Sequence, residues 1–337
     1  MKILAKRKRL TKKERERRNK GLLGLFVVML IFLGGYLAGR RDITLDQIKI
    51  KLDEAANHIE RQLTDFELPN RNQDGISGQE NSSQIHILDI GQGSSILFIS
   101  QDGTSILVDT GRFDDSEKRI ISYLDSFIGL GGKIDLLIFS HNDADHIGHG
   151  DLVLDYYDVQ EVWMNGVDSS SKVYANVLDA ILKSDAAYAE PKAGEVFTRG
   201  DFEIEVLHPA EDSPQKNSND ESIVTRISFD GISFMTSGDA SVPRENEIVA
   251  RAGNIKSDMM MLGHHGAANS TGEKWLNAVR PKLAFYQAGV NNTYGHPTAE
   301  ALERVKSANI PIYGTDELGT ISIYIGEDGQ VTVETER

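Results

Sequence analysis

The sequence contains no cysteine among its 337 residues. The chain can therefore form neither a disulfide framework nor a thiolate metal site. Only imidazole, carboxylate and other oxygen or nitrogen groups remain as ligands for a metal ion. The length allows one large domain, or two smaller ones, with a substantial hydrophobic core.

Positive charge is scarce outside the N-terminus. The first 41 residues carry 13 Lys or Arg and 2 Glu, a net charge of +11. Because the whole chain has a net charge of −15, residues 42–337 carry −26. A body this acidic repels a polyanion at long range, so the sequence shows no broad nucleic-acid surface. An anionic substrate would have to be attracted locally, by metal ions or a few basic residues.

The N-terminus predicts a membrane anchor. Residues 1–20 form a basic head, and residues 21–39 are uncharged and mostly apolar, just long enough for a transmembrane helix. A cleaved signal peptide has the same order, but this apolar stretch is long for a signal and no clear cleavage site follows. The anchor is therefore preferred. A basic head stays in the cytoplasm and places the remaining chain outside the cell, although Arg40 and Arg41 are a weak counter-signal.

Residues 40–83 are interpreted as a stalk and linker. The composition of residues 43–66 favours a helix, which could pair with a second copy of the chain or pack on its own domain. From Pro69 to Ser83, Asn, Gln, Gly and Ser dominate, which is typical of linkers.

Residues 84–337 are predicted to form one globular domain of strands, hairpins and helices. Two hairpins are expected to turn on the Asp-Gly dipeptides at 102–103 and 230–231. Helices are predicted over residues 118–127, 171–183 and 298–308. Hairpins mixed with helices favour packed sheets flanked by helices over a repeating parallel βαβ array.

The strongest motif is the segment at 140–148, which follows an apolar strand predicted at 134–139. It holds four potential metal ligands within six residues, namely His141, Asp143, Asp145 and His146. Aspartate and asparagine also cluster in ordinary turns. Two histidines and two aspartates in the spacing H-x-D-x-D-H, directly after a strand, instead predict a metal site with open positions for water. This ligand mixture suits zinc, manganese or iron.

Four later residues, in three segments, extend this site. Asp239 follows a predicted strand, and its two oxygens could bridge two metal ions. His264 and His265 are flanked by glycines, and because adjacent side chains point in different directions, one is expected to bind metal while the other contacts substrate or packs. His296 lies in a Gly/Pro turn and by itself would indicate little. The other histidines give weaker signals: His58, His86, His149 and His208.

Together, the motifs resemble the metallo-β-lactamase superfamily and, within it, the hydrolase domain of ComEC-type competence (DNA-uptake) proteins. The resemblance covers residues 84–337. It rests on Leu88-Asp89-Ile90-Gly91-Gln92-Gly93, His141-x-Asp143-x-Asp145-His146, Ser237-Gly238-Asp239, His264-His265-Gly266 and Tyr294-Gly295-His296-Pro297.

The resemblance implies an αββα four-layer sandwich with two divalent metal ions, zinc or manganese, at one edge. His141 and Asp143 would hold one ion, Asp145 and His146 the other, and Asp239 would bridge them. His264 or His265 would complete the second site. The implied catalytic residues are Asp145, which would orient the nucleophile, and His296 or His265, which would donate a proton to the leaving group. Asp89 would support the site, and His208 is the candidate for the third histidine motif of true β-lactamases.

The predicted function is that of a membrane-anchored, extracellular, metal-dependent phosphodiesterase or nuclease. DNA is the first candidate substrate. The alternatives are a cell-wall phosphodiesterase, such as a teichoic-acid phosphocholine esterase, and a catalytically inactive surface binding module. A β-lactam hydrolase is disfavoured by Asp143 and because His208 is the only nearby candidate for the third histidine. The metal, the substrate and the oligomeric state do not follow from the sequence.

Overall fold

A computed structural model describes residues 82–213 and 217–337. The basic head at 1–20, the transmembrane helix predicted at 21–39, nearly all of the stalk and linker predicted at 40–83, and His58 lie outside these ranges. Within them, no helix is both long enough and apolar enough to cross a membrane.

Seventeen strands lie in the described ranges. In chain order they are β1 (Ser83–Ile87), β2 (Ile96–Ile99), β3 (Ser105–Val108), β4 (Lys133–Ile134), β5 (Leu136–Ile138), β6 (Asp158–Val159), β7 (Glu161–Trp163), β8 (Ala187–Ala189), β9 (Val196–Arg199), β10 (Phe202–His208), β11 (Val224–Phe229), β12 (Ile232–Thr236), β13 (Met259–Met261), β14 (Leu283–Tyr286), β15 (Ile312–Gly314), β16 (Ile321–Ile325) and β17 (Val331–Thr335).

The same ranges contain seven α-helices and a short 3₁₀ helix at Gly263–Gly266. The helices are α1 (Arg119–Ile128), α2 (Gly150–Tyr156), α3 (Lys172–Lys183), α4 (Val242–Arg251), α5 (Glu273–Val279), α6 (Ala299–Ser307) and α7 (Thr315–Leu318). Two helices begin at residues that cap them. Ser171 accepts a hydrogen bond from the Tyr174 backbone, and Thr298 accepts one from Ala301.

Two large mixed sheets make up the domain. The first has the strand order β17-β16-β1-β2-β3-β5-β7-β8, and the second has the order β15-β14-β13-β12-β11-β10-β9. In each sheet one half is antiparallel and the other parallel: β3, β5, β7 and β8 run parallel, as do β12, β13, β14 and β15. Strands β4 and β6 form a separate short pair.

The core is divided into layers. One buried cluster joins the facing sides of the two sheets, with Phe98 and Ile106 from the first and Phe202 and Phe234 from the second. A second cluster lies between the first sheet and helices α1 to α3, and a third lies between the second sheet and helices α4 to α6. The predicted mixed α/β architecture of packed sheets flanked by helices is confirmed.

Both predicted Asp-Gly hairpins form. They connect β2 to β3 and β11 to β12, and Asp230 and Gly231 both have the positive φ that such tight turns require. The functional consequence of the topology lies at the other ends of these strands. Strands β3 and β5, and strands β12, β13 and β14, are parallel neighbours, so their carboxyl ends emerge at a common edge of each sheet.

Candidate metal centre

The candidate site is built from loops that leave the carboxyl ends of four strands. Asp109 follows β3, and the His141–His146 segment follows β5. In the second sheet, Asp239 follows β12, and His264 and His265 follow β13. The structure thus brings together residues that are more than a hundred positions apart in the chain.

The His141–His146 loop is held rigidly by its neighbours. The backbone N–H groups of Ser94, Thr110 and Phe113 donate hydrogen bonds to the carbonyls of Asp145 (3.0 Å), His146 (2.7 Å) and Ala144 (3.0 Å). A Cβ atom at Gly93 would lie 2.4 Å from the Asp145 carbonyl oxygen, so only glycine permits this close approach. The loop is therefore pre-organised by the chain itself.

Asp239 occupies the centre of the cluster. Its Oδ2 faces His141 Nε2 at 3.7 Å and His264 Nε2 at 3.4 Å, whereas its Oδ1 faces His146 Nε2 at 3.2 Å. Each carboxylate oxygen is thus directed at a different set of imidazoles, the arrangement that a bridging ligand between two ions needs.

Both adjacent histidines point into the site. His265 Nε2 lies 3.4 Å from Asp145 Oδ2, and His264 lies against Asp239. The sequence argument expected only one of them to face the metal, because side chains alternate along a strand. That premise does not apply here, since His264 (φ 52°) and His265 (φ 56°) are both left-handed and lie in a 3₁₀ turn.

The potential ligands form two groups that share one histidine. His141, His146 and Asp239 make one group, and Asp145, His146 and His265 make the other; within each, the ligand atoms lie within 4.8 Å of one another. Asp143 lies beside the first group, with its Oδ2 3.8 Å from His141 Nε2, but its side chain is 47% exposed. His264 adjoins the same group through Asp239 Oδ2.

The donor atoms fit a metal ion. His141 Nε2, His146 Nε2, His265 Nε2 and Asp239 Oδ1 are buried and have no hydrogen-bond partner, which is costly for polar atoms unless a ligand satisfies them. Four ligands placed 2.0–2.1 Å from a tetrahedral ion lie roughly 3.3 Å apart. The separations of 3.2–3.8 Å match that spacing.

The electrostatics of the cluster also favour a cation. Burial lowers the pKa of His141 to about 4, and the nearby charge of His146 acts in the same direction. Burial alone would lower the pKa of His146 too, but the carboxylates of Asp239 and Asp109 outweigh it and raise that pKa well above its usual value. For Asp239, burial favours the neutral acid, yet His146 and His141 hold its pKa well below its usual range. Asp239 is therefore ionised, and a bound cation would replace the His146 proton.

Asp109 is a site residue that the sequence reasoning missed. Its Oδ2 accepts hydrogen bonds from His146 Nδ1 and from the Ser140 hydroxyl, both at 2.8 Å, and its Oδ1 accepts one from the Ser140 backbone at 2.8 Å. A carboxylate in this position fixes the His146 tautomer and directs Nε2 at the cluster. The signal was present, because Asp109 follows a buried strand just as Asp239 does.

The remaining candidates lie farther out. The ring centroid of His296 is 5.3 Å from that of His264, at the open side of the cluster. Asp89 pairs with Arg337 at 2.7 Å and with Arg119 at 3.5 Å, so it is occupied away from the ligands. His208 faces Glu221 at 3.7 Å, and His149 contacts the Asp115 carbonyl; among the described residues, neither belongs to a ligand group.

Comparison with known proteins places this geometry in context. The family model described as the metallo-beta-lactamase superfamily matches residues 88–289. ComE operon protein 3 of Bacillus subtilis (strain 168) is 32% identical over 256 residues, which cover 71% of this chain and 32% of that protein. Competence protein ComA of Neisseria gonorrhoeae is 28% identical over 253 residues, which cover 74% of this chain and 33% of that protein.

The chain thus spans about a third of the length of these curated relatives. Among solved structures, the metallo-beta-lactamase fold protein YhfI from Bacillus subtilis aligns with a TM-score of 0.48 at 12% identity, covering 75% of this chain and all of that one.

Proposed function

This chain belongs to the metallo-beta-lactamase superfamily of metal-dependent hydrolases, and on that premise we propose that it is a phosphodiesterase whose first substrate is DNA. The single observation that carries the proposal is the convergence of unpartnered imidazole nitrogens on the two oxygens of Asp239. One of the two relatives, ComA of Neisseria gonorrhoeae, is named as a competence protein, which supports DNA as the substrate.

The ligand set favours a phosphodiester over a β-lactam. Asp143 lies beside His141, at the position where another histidine would make the first metal site rich in imidazole. His208 faces Glu221 and not the cluster. Two metal ions bound here would polarise the phosphoryl group and provide an activated water at neutral pH. The carboxylates of Asp143, Asp145 and Asp239 suit metal ions that also bind the oxygen atoms of a phosphodiester.

Asp145 is proposed to orient the nucleophile. Burial favours its neutral form, but contact with His265 and the charge of His146 lower the pKa of Asp145 below its usual value. The ionised carboxylate would accept a hydrogen bond from the attacking water and so orient it towards phosphorus.

His296 is proposed to protonate the leaving group. Burial and the neighbouring charge of His264 lower its pKa, but the negative charge of a bound phosphodiester would raise it again. As the P–O bond to the alcohol breaks, the His296 ring would donate a proton to the departing oxygen.

We further propose that residues 21–39 anchor the chain and that the hydrolase domain lies outside the cell. The stalk could then bring two copies together on the membrane. This part of the proposal rests on the charge and hydropathy of the sequence.

A second candidate is a phosphodiesterase for cell-wall polymers that carry phosphocholine, such as teichoic acids. The observation that favours it is the net charge of −26 over residues 42–337, which repels DNA at long range but attracts the cationic choline groups of such a polymer.

The test uses the full chain, purified in detergent and stripped of metal. Manganese or zinc is then added, and methyl p-nitrophenyl phosphate, a single-stranded oligonucleotide and p-nitrophenyl phosphocholine are assayed in parallel. We expect metal-dependent turnover and a fall in kcat of at least about 100-fold in Asp145→Ala. Asp179→Ala, on the exposed face of α3, is the matched control. Absence of turnover with less than one metal bound per chain would leave a binding module as the explanation.

A further inference from the structure

A row of rings leads from the metal centre to the surface. The centroid of His264 lies 5.3 Å from that of His296, and the centroid of His296 lies 6.4 Å from that of Tyr294. The guanidinium carbon of Arg112 lies 5.5 Å from the Tyr294 ring centroid, and Arg112 Nη1 donates a hydrogen bond of 2.8 Å to the Tyr294 hydroxyl. His264, His296, Tyr294 and Arg112 thus follow one another from the candidate metal centre to the surface.

The loop that presents Tyr294 is itself well ordered by hydrogen bonds. The Asn292 side chain accepts hydrogen bonds from the backbones of Tyr294 (3.1 Å) and His296 (3.3 Å), and it donates to the Gly289 carbonyl at 3.0 Å. Gly289 in turn donates to the Gln92 side chain at 3.2 Å. This network fixes both rings relative to the loop that follows β1.

Two large aromatic surfaces are left exposed at this edge. Tyr294 is 53% exposed and Phe113 is 50% exposed. Phe113 follows Arg112 directly, and its backbone donates to the Ala144 carbonyl within the ligand loop, so it borders the same opening. Exposed apolar rings beside a reaction centre cost solvation free energy unless a ligand covers them.

We propose that Arg112, Phe113 and Tyr294 form a rim that binds a nucleotide of single-stranded nucleic acid next to the scissile phosphodiester. In this arrangement a base stacks on Tyr294 or Phe113, and Arg112 pairs with the adjacent phosphate. The inference rests on the proposed phosphodiesterase function and names its substrate class. Arg112 also places a positive charge at this edge of a body whose net charge is negative.

The electrostatics favour a nucleotide over a choline ester. A guanidinium beside the Tyr294 ring repels a quaternary ammonium group, whereas a phosphate is attracted to it. Arg112 also pairs with Asp114 at 2.6 Å, but both side chains are partly exposed, and such surface pairs are weak enough for a phosphate to replace. Because Arg112 donates to the Tyr294 oxygen, the tyrosine O–H remains able to donate to a phosphate oxygen.

The geometry also favours a single strand over a duplex. Stacking on a protein ring requires an unstacked base face, which a duplex conceals between neighbouring pairs. The rim presents side-chain rings at an opening and no continuous basic surface of the kind that tracks both strands of a duplex.

The first test measures the ratio of kcat/KM for thymidine 5′-(p-nitrophenyl phosphate) to that for methyl p-nitrophenyl phosphate, using the full chain with manganese. The two esters share a leaving group and differ by the nucleoside, so the ratio isolates its recognition. We expect Tyr294→Ala to lower the ratio about tenfold, and Tyr294→Phe to restore most of it because the ring remains. Tyr156→Ala, at another exposed tyrosine, is the control and should leave the ratio unchanged.

The second test measures equilibrium binding of fluorescein-labelled dT12 and of a duplex of equal length, with and without metal. Tyr294→Ala and Arg112→Gln are each expected to weaken binding of the single strand about tenfold, with Arg280→Gln as the matched control. If Tyr294→Ala leaves both the kcat/KM ratio and the affinity for dT12 unchanged, the proposed role of the rim is wrong. Loss of p-nitrophenyl phosphocholine turnover instead of nucleotide turnover in Tyr294→Ala would overturn its specificity. Failure of the native chain to hydrolyse either ester would count against the phosphodiesterase function. The comparison of dT12 binding between the native chain and the variants would still test whether the rim binds a single strand.

Discussion

At the scale of single residues, the hydrogen bond between Asp109 and His146 determines how the metal centre is aligned. In Asp109→Asn, an amide N–H₂ would replace the oxygen that accepts from His146 Nδ1. The imidazole would then have to carry its proton on Nε2, the nitrogen that faces Asp239. We expect metal affinity to fall about 10- to 100-fold, measured by competition with a chelating dye.

Asp135→Asn is the matched control for this change. Asp135 is a largely buried aspartate that accepts a hydrogen bond from the Ser105 backbone and pairs with Lys133, on the other end of β3. If Asp109→Asn and Asp135→Asn bind metal equally well, Asp109 has no role in positioning His146.

Substitutions of the adjacent residues His264 and His265 are expected to have different effects on metal binding. His265 contacts Asp145 and belongs to a ligand group, whereas His264 Nε2 faces the Asp239 oxygen that also faces His141. We expect His265→Ala to remove one tightly bound ion per chain, as counted by metal analysis after gel filtration. We expect His264→Ala to keep that ion and to weaken the other.

The reverse pattern of metal loss would assign the two histidines the other way round. Equal stoichiometry in both variants and in the native chain would show that neither imidazole is needed to hold an ion.

At the scale of elements, the pairing of β1 with β16 contains a histidine that must stay neutral. Burial lowers the pKa of His86 to about 3, and its ring bonds to Ser322 and stacks on Phe127. Between pH 3 and 6.5 the unfolded chain binds a proton here that the folded chain does not. The contribution of neutral His86 to the free energy of unfolding is therefore complete above pH 6.5. It decreases as the pH falls below 6.5, by about 1.4 kcal/mol per pH unit.

The prediction is tested by thermal unfolding followed by circular dichroism at pH 7.5 and 5.0. His86→Gln should lose less Tm on acidification than the native chain, because glutamine does not titrate. Ser322→Ala retains the imidazole and should keep the full pH dependence. An identical loss of Tm in His86→Gln and in the native chain would contradict this role of His86.

At the scale of the whole molecule, charge is divided between a basic N-terminus and an acidic body. A nuclease with a basic surface loses affinity as salt increases, because phosphate contacts release counterions. Here residues 42–337 carry −26, so screening removes repulsion as well as the attraction at Arg112. We expect kcat/KM for a single-stranded oligonucleotide to change less than about threefold between 50 and 200 mM salt, where a basic nuclease loses far more.

The measurement is a steady-state assay of the full chain over that salt range. Methyl p-nitrophenyl phosphate, which carries a single negative charge, is the control for ionic effects on the reaction itself. A fall of a hundredfold or more would show that a basic surface, and not a local rim, captures the substrate.

Local chemistry alone determined a large part of this protein. The H-x-D-x-D-H segment could be read as a metal motif because ligand type and spacing are properties of six consecutive residues. The hairpins at 102–103 and 230–231 could be predicted because Asp-Gly favours positive φ by itself. Long helices such as α1, α3 and α6 were expected for the same reason, since their apolar spacing is local.

Some short or strongly polar elements were not predicted. Helix α4 buries only Glu245 and Ile248, so its apolar stripe is too thin to recognise in the sequence. Strand β15 has three residues and exists because it pairs in parallel with β14. Elements of this kind owe their stability to tertiary contacts and not to intrinsic propensity.

Only the tertiary structure decided how the site is assembled. The second sheet brings Asp239, His264 and His265 to the first sheet's ligand loop, and the left-handed backbone turns both histidines inward. The hydrogen bond between His146 and Asp109 joins positions 37 residues apart, and the one between Arg112 and Tyr294 joins positions 182 residues apart. The sequence determines the chemical type of each ligand side chain. The convergence of these side chains depends on packing two sheets against each other, which no local sequence pattern encodes.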